Sequence, residues 1–85
     1  MSLRIARDIR LVEAGEDMVL LDERSGRFWQ LNASGAGALR GLLDGQDECQ
    51  VARALAAEYS IDQARAQTDV DRLIGQLKAA GLARR

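Results

Sequence analysis

The chain has 85 residues, of which 47% are hydrophobic and 29% charged, with a formal net charge of −1. This length and composition predict one small globular domain spanning residues 1–85. The sequence has no histidine, the commonest general base and metal ligand. Its single cysteine excludes an internal disulfide. The composition therefore excludes histidine-dependent catalysis and a metal cluster held by thiols alone.

Two classes of partner are disfavoured by the charge and the hydropathy. The 12 basic and 13 acidic residues nearly balance, whereas a nucleic-acid-binding domain usually carries a clear basic excess. No apolar run is long enough to cross a bilayer. Residues 1–10 include basic side chains but lack the apolar stretch of a signal peptide. The sequence predicts a cytoplasmic protein without a nucleic-acid or membrane partner.

The N-terminal part of the chain has the pattern of an antiparallel meander. Alternating apolar residues predict three strands, at residues 9–14, 18–22 and 27–31. A glycine-containing segment, centred on Ser25 and Gly26, separates the second and third strands and indicates a hairpin. Because short connections join antiparallel neighbours, the first and third strands are expected at the edges of the sheet.

The rest of the chain predicts three helices. The first runs from about residue 33 or 34 to 44, the second opens at Asp47, and the third covers about 62–80. Asn32 or Ser34 caps the first helix, and Gln50 completes a capping box with Asp47. The predicted inward residues of the second helix are Val51, Leu55 and Tyr59, with Ala52 and Ala56 alongside. Strands followed by helices predict an α+β, winged-helix-like fold, a three-stranded antiparallel sheet followed by three helices.

The strand at 27–31 is a candidate binding edge. Alternation places Trp29 and Leu31 on one face, expected to be core, and Phe28 and Gln30 on the other. The strand contains neither lysine nor proline, two residues that commonly protect an edge. Its free backbone groups can therefore pair with an extended peptide. The alternative is that a loop or a second copy of the chain covers this edge.

The third predicted helix carries a second candidate surface. Its apolar stripe is broad and consists of Ala66, Val70, Leu73, Ile74 and Leu77. The stripe is either a core face or the wall of a binding groove. Gly75 costs helix stability, which is tolerable where a packed helix or a bound peptide approaches closely. Asp69, Arg72 and Gln76 flank the stripe as a polar rim or as solvated surface.

Several segments together resemble the PqqD-like proteins. Residues 20–32, LLDERSGRFWQLN, resemble the family signature, in which two apolar strands flank a glycine turn and end in Leu-Asn. Residues 34–36, the Leu-Leu-Asp-Gly at 42–45, residues 55–59 and the apolar positions from Asp69 onward also fall where the family has them. The resemblance covers about residues 9–83, nearly the whole chain.

This resemblance implies a function. Members of the family are recognition elements for the leader peptides of ribosomally made, modified peptides. The resemblance implies that a leader adds as a strand beside the third predicted strand, in a groove walled by the third helix. It places peptide binding on Arg27, Phe28, Trp29, Gln30, Leu31, Asp69, Val70, Leu73, Ile74 and Leu77.

Within the family, the run from Gly26 to Asn32 is most similar to stand-alone members from lasso peptide clusters. That similarity implies a non-catalytic adaptor without a cofactor. The partners it implies are the leader of a precursor peptide, a separate leader peptidase, and a cyclase that acts afterwards.

Two other functions are compatible with the sequence. A winged helix can bind DNA, although the third helix sets Arg65, Arg72 and Lys78 against three aspartates and so has no net basic face. DNA binding would weaken steeply with salt. The second alternative is a small module that dimerises through the open edge strand, which light scattering would detect.

Overall fold

The protein structure is a computed structural model that describes residues 3–84. Its elements are β1 Arg4–Ile5, β2 Ile9–Ala14, β3 Asp17–Asp22, β4 Phe28–Leu31, α1 Ala33–Leu43, α2 Glu48–Tyr59, α3 Gln63–Ala79 and β5 Ala83–Arg84. The predicted order of three strands and three helices is confirmed, with the predicted third strand now β4. Residues 1, 2 and 85, which the single-domain prediction includes, lie outside the described residues. No helix in the described part is long and apolar enough to cross a bilayer.

The main sheet has the strand order β2-β3-β4 and is antiparallel throughout. Its inner face packs on α1 through Met18 and Leu20 of the central strand, both fully buried. At the β3–β4 hairpin the N–H of Gly26 donates to the carbonyl of Asp22 over 2.8 Å. Gly26 has φ = +78°, a conformation that costs glycine little because it has no Cβ. The hairpin that the sequence predicts is therefore confirmed.

Side-chain caps fix the start of each helix. Asn32, not Ser34, caps α1, since its side chain accepts the N–H of Gly35 over 3.0 Å. The predicted capping box of α2 is complete: Asp47 accepts the N–H of Gln50 over 2.7 Å, and the Gln50 side chain accepts the N–H of Asp47 over 2.9 Å. Asp62 caps α3. These bonds satisfy N–H groups that a helix start leaves without partners, so the helix starts are set by local sequence.

The core lies between the inner face of the sheet and the three helices. Helix residues buried in it include Ala36, Leu39, Leu42, Val51, Ala52, Leu55, Ala66, Val70, Ile74 and Leu77. One predicted inward residue is wrong: Tyr59 is 42% exposed. It is the last residue of α2, and the chain turns away at Ser60, which has φ = 54°. The ring therefore lies at the helix end, where no described element covers it fully.

The two-stranded ribbon formed by β1 and β5 is absent from the sequence-based prediction. Arg4 pairs with Arg84, Ile5 pairs with Ala83, and the N–H of Ala6 donates to the Leu82 carbonyl over 2.9 Å. Two-residue strands have no periodicity that a sequence pattern can reveal. The ribbon brings the two ends of the described chain together and helps to bury Leu3, Leu82 and Ala83.

Charged side chains stabilise two exposed parts of the sheet. The Arg40 guanidinium of α1 hydrogen-bonds the Glu13 carboxylate of β2, which lowers the pKa of Glu13 and raises the pKa of Arg40. At the hairpin the backbone N–H of Arg24 donates to the Asp22 carboxylate over 3.0 Å. This bond holds the pKa of Asp22 below its ordinary value. Both carboxylates are thus stabilised in the charged form.

Candidate functional site

The outer edge of β4 has unpaired backbone groups. Within residues 3–84, β4 pairs with β3 alone. The N–H of Asp22 donates to the Arg27 carbonyl over 2.9 Å, and pairs that face each other through hydrogen bonds alternate along an antiparallel ladder. The backbone groups of Trp29 and Leu31 therefore face β3, and those of Phe28 and Gln30 point outward. Two N–H and two C=O groups are available to an added strand.

The two edges of the sheet are protected differently. On β2, Arg10 and Glu13 place charges along the edge, and the Glu13 side chain is held by Arg40. Charged side chains discourage strand addition because they would be desolvated by the incoming chain. Residues Phe28–Leu31 contain no charged side chain. Strand addition is therefore favoured at β4 over β2.

The side chains of β4 divide between the two faces of the sheet. Trp29 and Leu31 are half-buried against the core, as predicted, whereas Phe28 on the outer face is 67% exposed. The Arg27 guanidinium lies 5.3 Å from the centre of the Trp29 ring, within range of a cation–π interaction. Gln30 donates to the Asp17 carboxylate over 3.4 Å.

A groove of about 550 Å³ lies where β4 passes into α1. One wall is formed by residues 32–35, and the opposite wall is formed by α3. The apolar lining consists of Ala38, Leu55, Tyr59, Ile61, Val70 and Leu73. The polar rim consists of Arg65, Asp69, Arg72 and Gln76. Apolar pockets with a few polar groups at the rim are typical of ligand sites.

The charges at the groove are not fully compensated by one another. Arg72 and Asp69 approach to 3.9 Å, one turn apart on α3, and both remain partly exposed to solvent. Arg65 forms no ion pair with any of the described residues. Since the rim carries two guanidinium groups and one carboxylate, it favours an acidic side chain in whatever lies along it.

Comparison with known proteins identifies the family. Residues 17–83 match the family model of coenzyme PQQ synthesis protein D, PqqD. This chain belongs to the PqqD family. Comparison with curated protein sequences found no match.

Two solved structures resemble this PqqD-family chain. A lasso peptide synthetase B1 complexed with the leader peptide is 36% identical, with a TM-score of 0.93, and the match covers 100% of both chains. TbiB1 in complex with the TbiA(beta) leader peptide is 24% identical, with a TM-score of 0.84, over 98% of this chain and 94% of that chain. At 24% identity the second likeness shows the fold alone. The predicted α+β fold of the PqqD-like proteins is thus confirmed.

The structure brings only part of the predicted α3 stripe to the groove. Asp69, Val70 and Leu73 line it, with Val70 itself buried at 1% exposed beneath the groove. Ile74 and Leu77 are buried in the core, 5% and 3% exposed, and do not line it. Successive helical residues lie about 100° apart. The rim residues of α3 therefore form one stripe along the helix, and its buried residues form the adjacent stripe. Leu73 lies at the boundary between the two stripes. Ile74 and Leu77 point into the helix packing and do not line the groove of the free chain. Their assignment to peptide binding stays a prediction.

Other residues of the groove in the PqqD-family chain were not among the predicted site residues. Ile61 lies in the connection between α2 and α3, where no periodic pattern marks it as apolar lining. The sequence assigns Asn32 to the cap of α1 and Tyr59 to the inward face of α2, so neither is predicted as a site residue. The side chain of Arg65 lies one turn before Asp69, and the charge pattern alone did not distinguish it from solvated surface.

Gly75 does not mark a close approach to a packed helix. No atom of another described element lies within 4 Å of a Cβ built on it, and it does not line the groove. We expect Gly75→Ala to raise the free energy of unfolding by about 0.5–1 kcal/mol, because alanine is the better helix former. Urea denaturation measures this change. The affinity for the peptide should not change. A lower free energy of unfolding or a weaker peptide affinity would indicate an unseen contact at Gly75.

No cluster of three or more potential metal ligands is found within residues 3–84. The groove instead combines apolar side chains, two amides, two guanidinium groups and a carboxylate. Next to it, β4 presents free backbone donors and acceptors. An extended polypeptide can pair with backbone groups of this kind.

Proposed function

We propose that this PqqD-family chain binds the leader region of a ribosomally synthesised precursor peptide of the lasso class. The observation that carries the proposal is the 36% identity, over the whole of both chains, to a lasso peptide synthetase B1 complexed with the leader peptide. The open edge of β4 and the adjoining groove are consistent with such a ligand. No described element fills either of them.

In this proposal the leader adds to the sheet as a further strand along β4. The outward backbone groups of Phe28 and Gln30 would supply main-chain hydrogen bonds, which give affinity largely independent of the peptide sequence. Arg27, Trp29 and Leu31 would contact the leader through their side chains. The absence of charge along Phe28–Leu31 favours this edge.

The groove would supply selectivity for side chains of the leader. An apolar leader side chain would pack on Val70 and Leu73, and burying one such side chain contributes about 1.5–3 kcal/mol. Asp69 would help to fix the register at the rim, and Arg72 would attract an acidic neighbour. Ile74 and Leu77 would act only by supporting α3 from the core.

The chain would work as an adaptor in the cytoplasm and would carry out no chemical step. It would hold the leader while a separate leader peptidase cuts it, and a cyclase would act afterwards. What supports this proposal is the match to the PqqD family model and to a lasso peptide synthetase B1 complexed with the leader peptide.

Hydrogen exchange can test strand addition residue by residue. With a saturating synthetic leader of the cognate precursor, we expect the amide exchange of Phe28 and Gln30 to slow by at least about tenfold. Trp29 and Leu31 should change less, because their N–H groups already pair with β3. Exchange would be followed by NMR in the full chain.

A matched peptide provides the control for this experiment. A leader methylated on alternate backbone nitrogens keeps its side chains but loses the donors that an added strand needs. It should bind more weakly and protect neither amide. A leader that binds tightly while leaving Phe28 and Gln30 unprotected would contradict strand addition but would retain peptide binding in the groove.

A further inference from the structure

The ribbon of β1 and β5 concentrates positive charge at one place. Arg4 lies directly opposite Arg84 in the antiparallel pair, and Arg7 follows in the adjoining turn. These three arginines and Ile5 line a concavity of about 340 Å³. We call this cluster the arginine pocket. Both ribbon arginines are exposed, so their guanidinium groups are accessible.

Within residues 3–84, no carboxylate forms an ion pair with the arginines of the arginine pocket. Ion pairs of the described residues involve Arg24 with Asp8, Arg40 with Glu13 and Arg72 with Asp69. Asp8, the chain neighbour of Arg7, is thus associated with another cation. Like charges directly opposite one another on paired strands are destabilising. No ion pair among the described residues offsets this cost. An uncompensated cost is expected where a sequence serves binding rather than stability.

The charge distribution indicates which anion fits. The whole chain carries a net charge of −1, so the pocket is a local feature and not the extended basic face that a nucleic acid requires. Guanidinium groups match carboxylates in bidentate geometry. The half-buried Ile5 adds an apolar contact that a short peptide segment can use.

We propose that Arg4, Arg7 and Arg84 form a docking site for an acidic segment of a partner protein. The site is distinct from the groove. It lies beyond the C-terminal end of α3, whereas the groove is lined by α3 residues 65–76. The arginine pocket and the groove share no lining residue.

Titration of the full chain with hexaglutamate tests the proposal. At about 50 mM salt we expect NMR shifts at residues 4–7 and 83–84, and affinity that falls at higher salt as exposed charges are screened. Hexaglutamine should cause no such shifts. Arg84→Gln should weaken hexaglutamate binding about tenfold, because it removes one charge-assisted hydrogen bond to the peptide. The matched control Arg53→Gln removes the same charge from an exposed position of α2 and should change affinity less than twofold.

Stability gives an independent measurement. Arg84→Glu turns a like-charge pair into an opposite-charge pair with Arg4, so the thermal midpoint should rise while hexaglutamate binding is lost. A purely structural role for Arg84 would instead lower the midpoint. This variant should fold at least as well as the parent chain, which keeps the binding result interpretable.

Three outcomes would overturn the proposal. Hexaglutamate could fail to bind, it could bind Arg84→Gln and Arg53→Gln equally, or a 12-base-pair DNA duplex could bind at these arginines more tightly than hexaglutamate. The leader peptide is titrated separately. If hexaglutamate fails to bind, the proposal that the leader binds at β4 still stands. If the leader fails to bind at β4, the proposal for the arginine pocket still stands.

Discussion

Replacing Leu73 by aspartate should weaken binding of the leader peptide about 100-fold while the chain stays folded. Leu73 lines the groove beside Val70 but remains half-exposed, so a carboxylate at this position can reach water in the free protein. In the complex it would be covered by the leader. Losing an apolar contact and desolvating a charge together cost about 3 kcal/mol, which corresponds to that factor. Isothermal titration calorimetry measures the affinity.

Two further variants separate the groove from general effects of charge. Ala57→Asp adds the same charge at an exposed position of α2 outside the groove, and it should leave the affinity within about twofold. Leu73→Ser removes the apolar contact without adding charge and should show an intermediate loss. Thermal melts establish that each variant is folded. Equal affinities for Leu73→Asp and Ala57→Asp would remove α3 from the proposed site.

Replacing Leu77 by alanine should greatly lower the free energy of unfolding but leave the affinity for the leader unchanged. Leu77 is 3% exposed and packs in the core one turn after Leu73. Leucine-to-alanine changes at buried sites cost about 2–5 kcal/mol, since they remove contacts and leave a cavity. An 85-residue domain has only about 4–13 kcal/mol of stability in total. Urea denaturation should therefore show a much lower midpoint.

The contrast between Leu73 and Leu77 tests the assignment of the two α3 stripes. Leu73→Ala should cost less stability than Leu77→Ala, because Leu73 is only half-buried, and should cost more affinity. Affinities are compared below the melting transition, where each variant is folded. If Leu77→Ala weakened the leader as much as Leu73→Ala did, the leader would have to reach deeper between the helices than the groove allows.

The elements that sequence reasoning placed correctly are those governed by local rules. The capping box of Asp47 and Gln50 and the hairpin at Gly26 depend on residues within a few positions of one another. The same holds for the alternation along β4, which separates Trp29 from Phe28. Interactions between residues this close in the chain can be recognised in a single sequence. The predicted boundaries of the strands and helices therefore agree with the structure to within one residue.

The lining of the groove is harder to predict, because the core and the groove use the same kinds of residue. An apolar stripe on α3 has the same period whether it packs on α2 or faces a ligand, so Ile74 and Leu73 could not be separated. The contribution of Ile61 depends on how α2 and α3 pack, and that of Arg4 on a pairing between opposite ends of the chain. Such long-range contacts leave no local signature.

The contact between Arg27 and Trp29 has a practical consequence. Trp29 is the only tryptophan of the chain, and it lies on the strand where the leader is proposed to add. Its indole emission depends on the solvent and on the cation held 5.3 Å away. Any ligand that moves Arg27 or excludes water from this strand should change the intensity or wavelength of that emission. The protein thus carries its own optical reporter, and stopped-flow mixing can follow association in real time without a label.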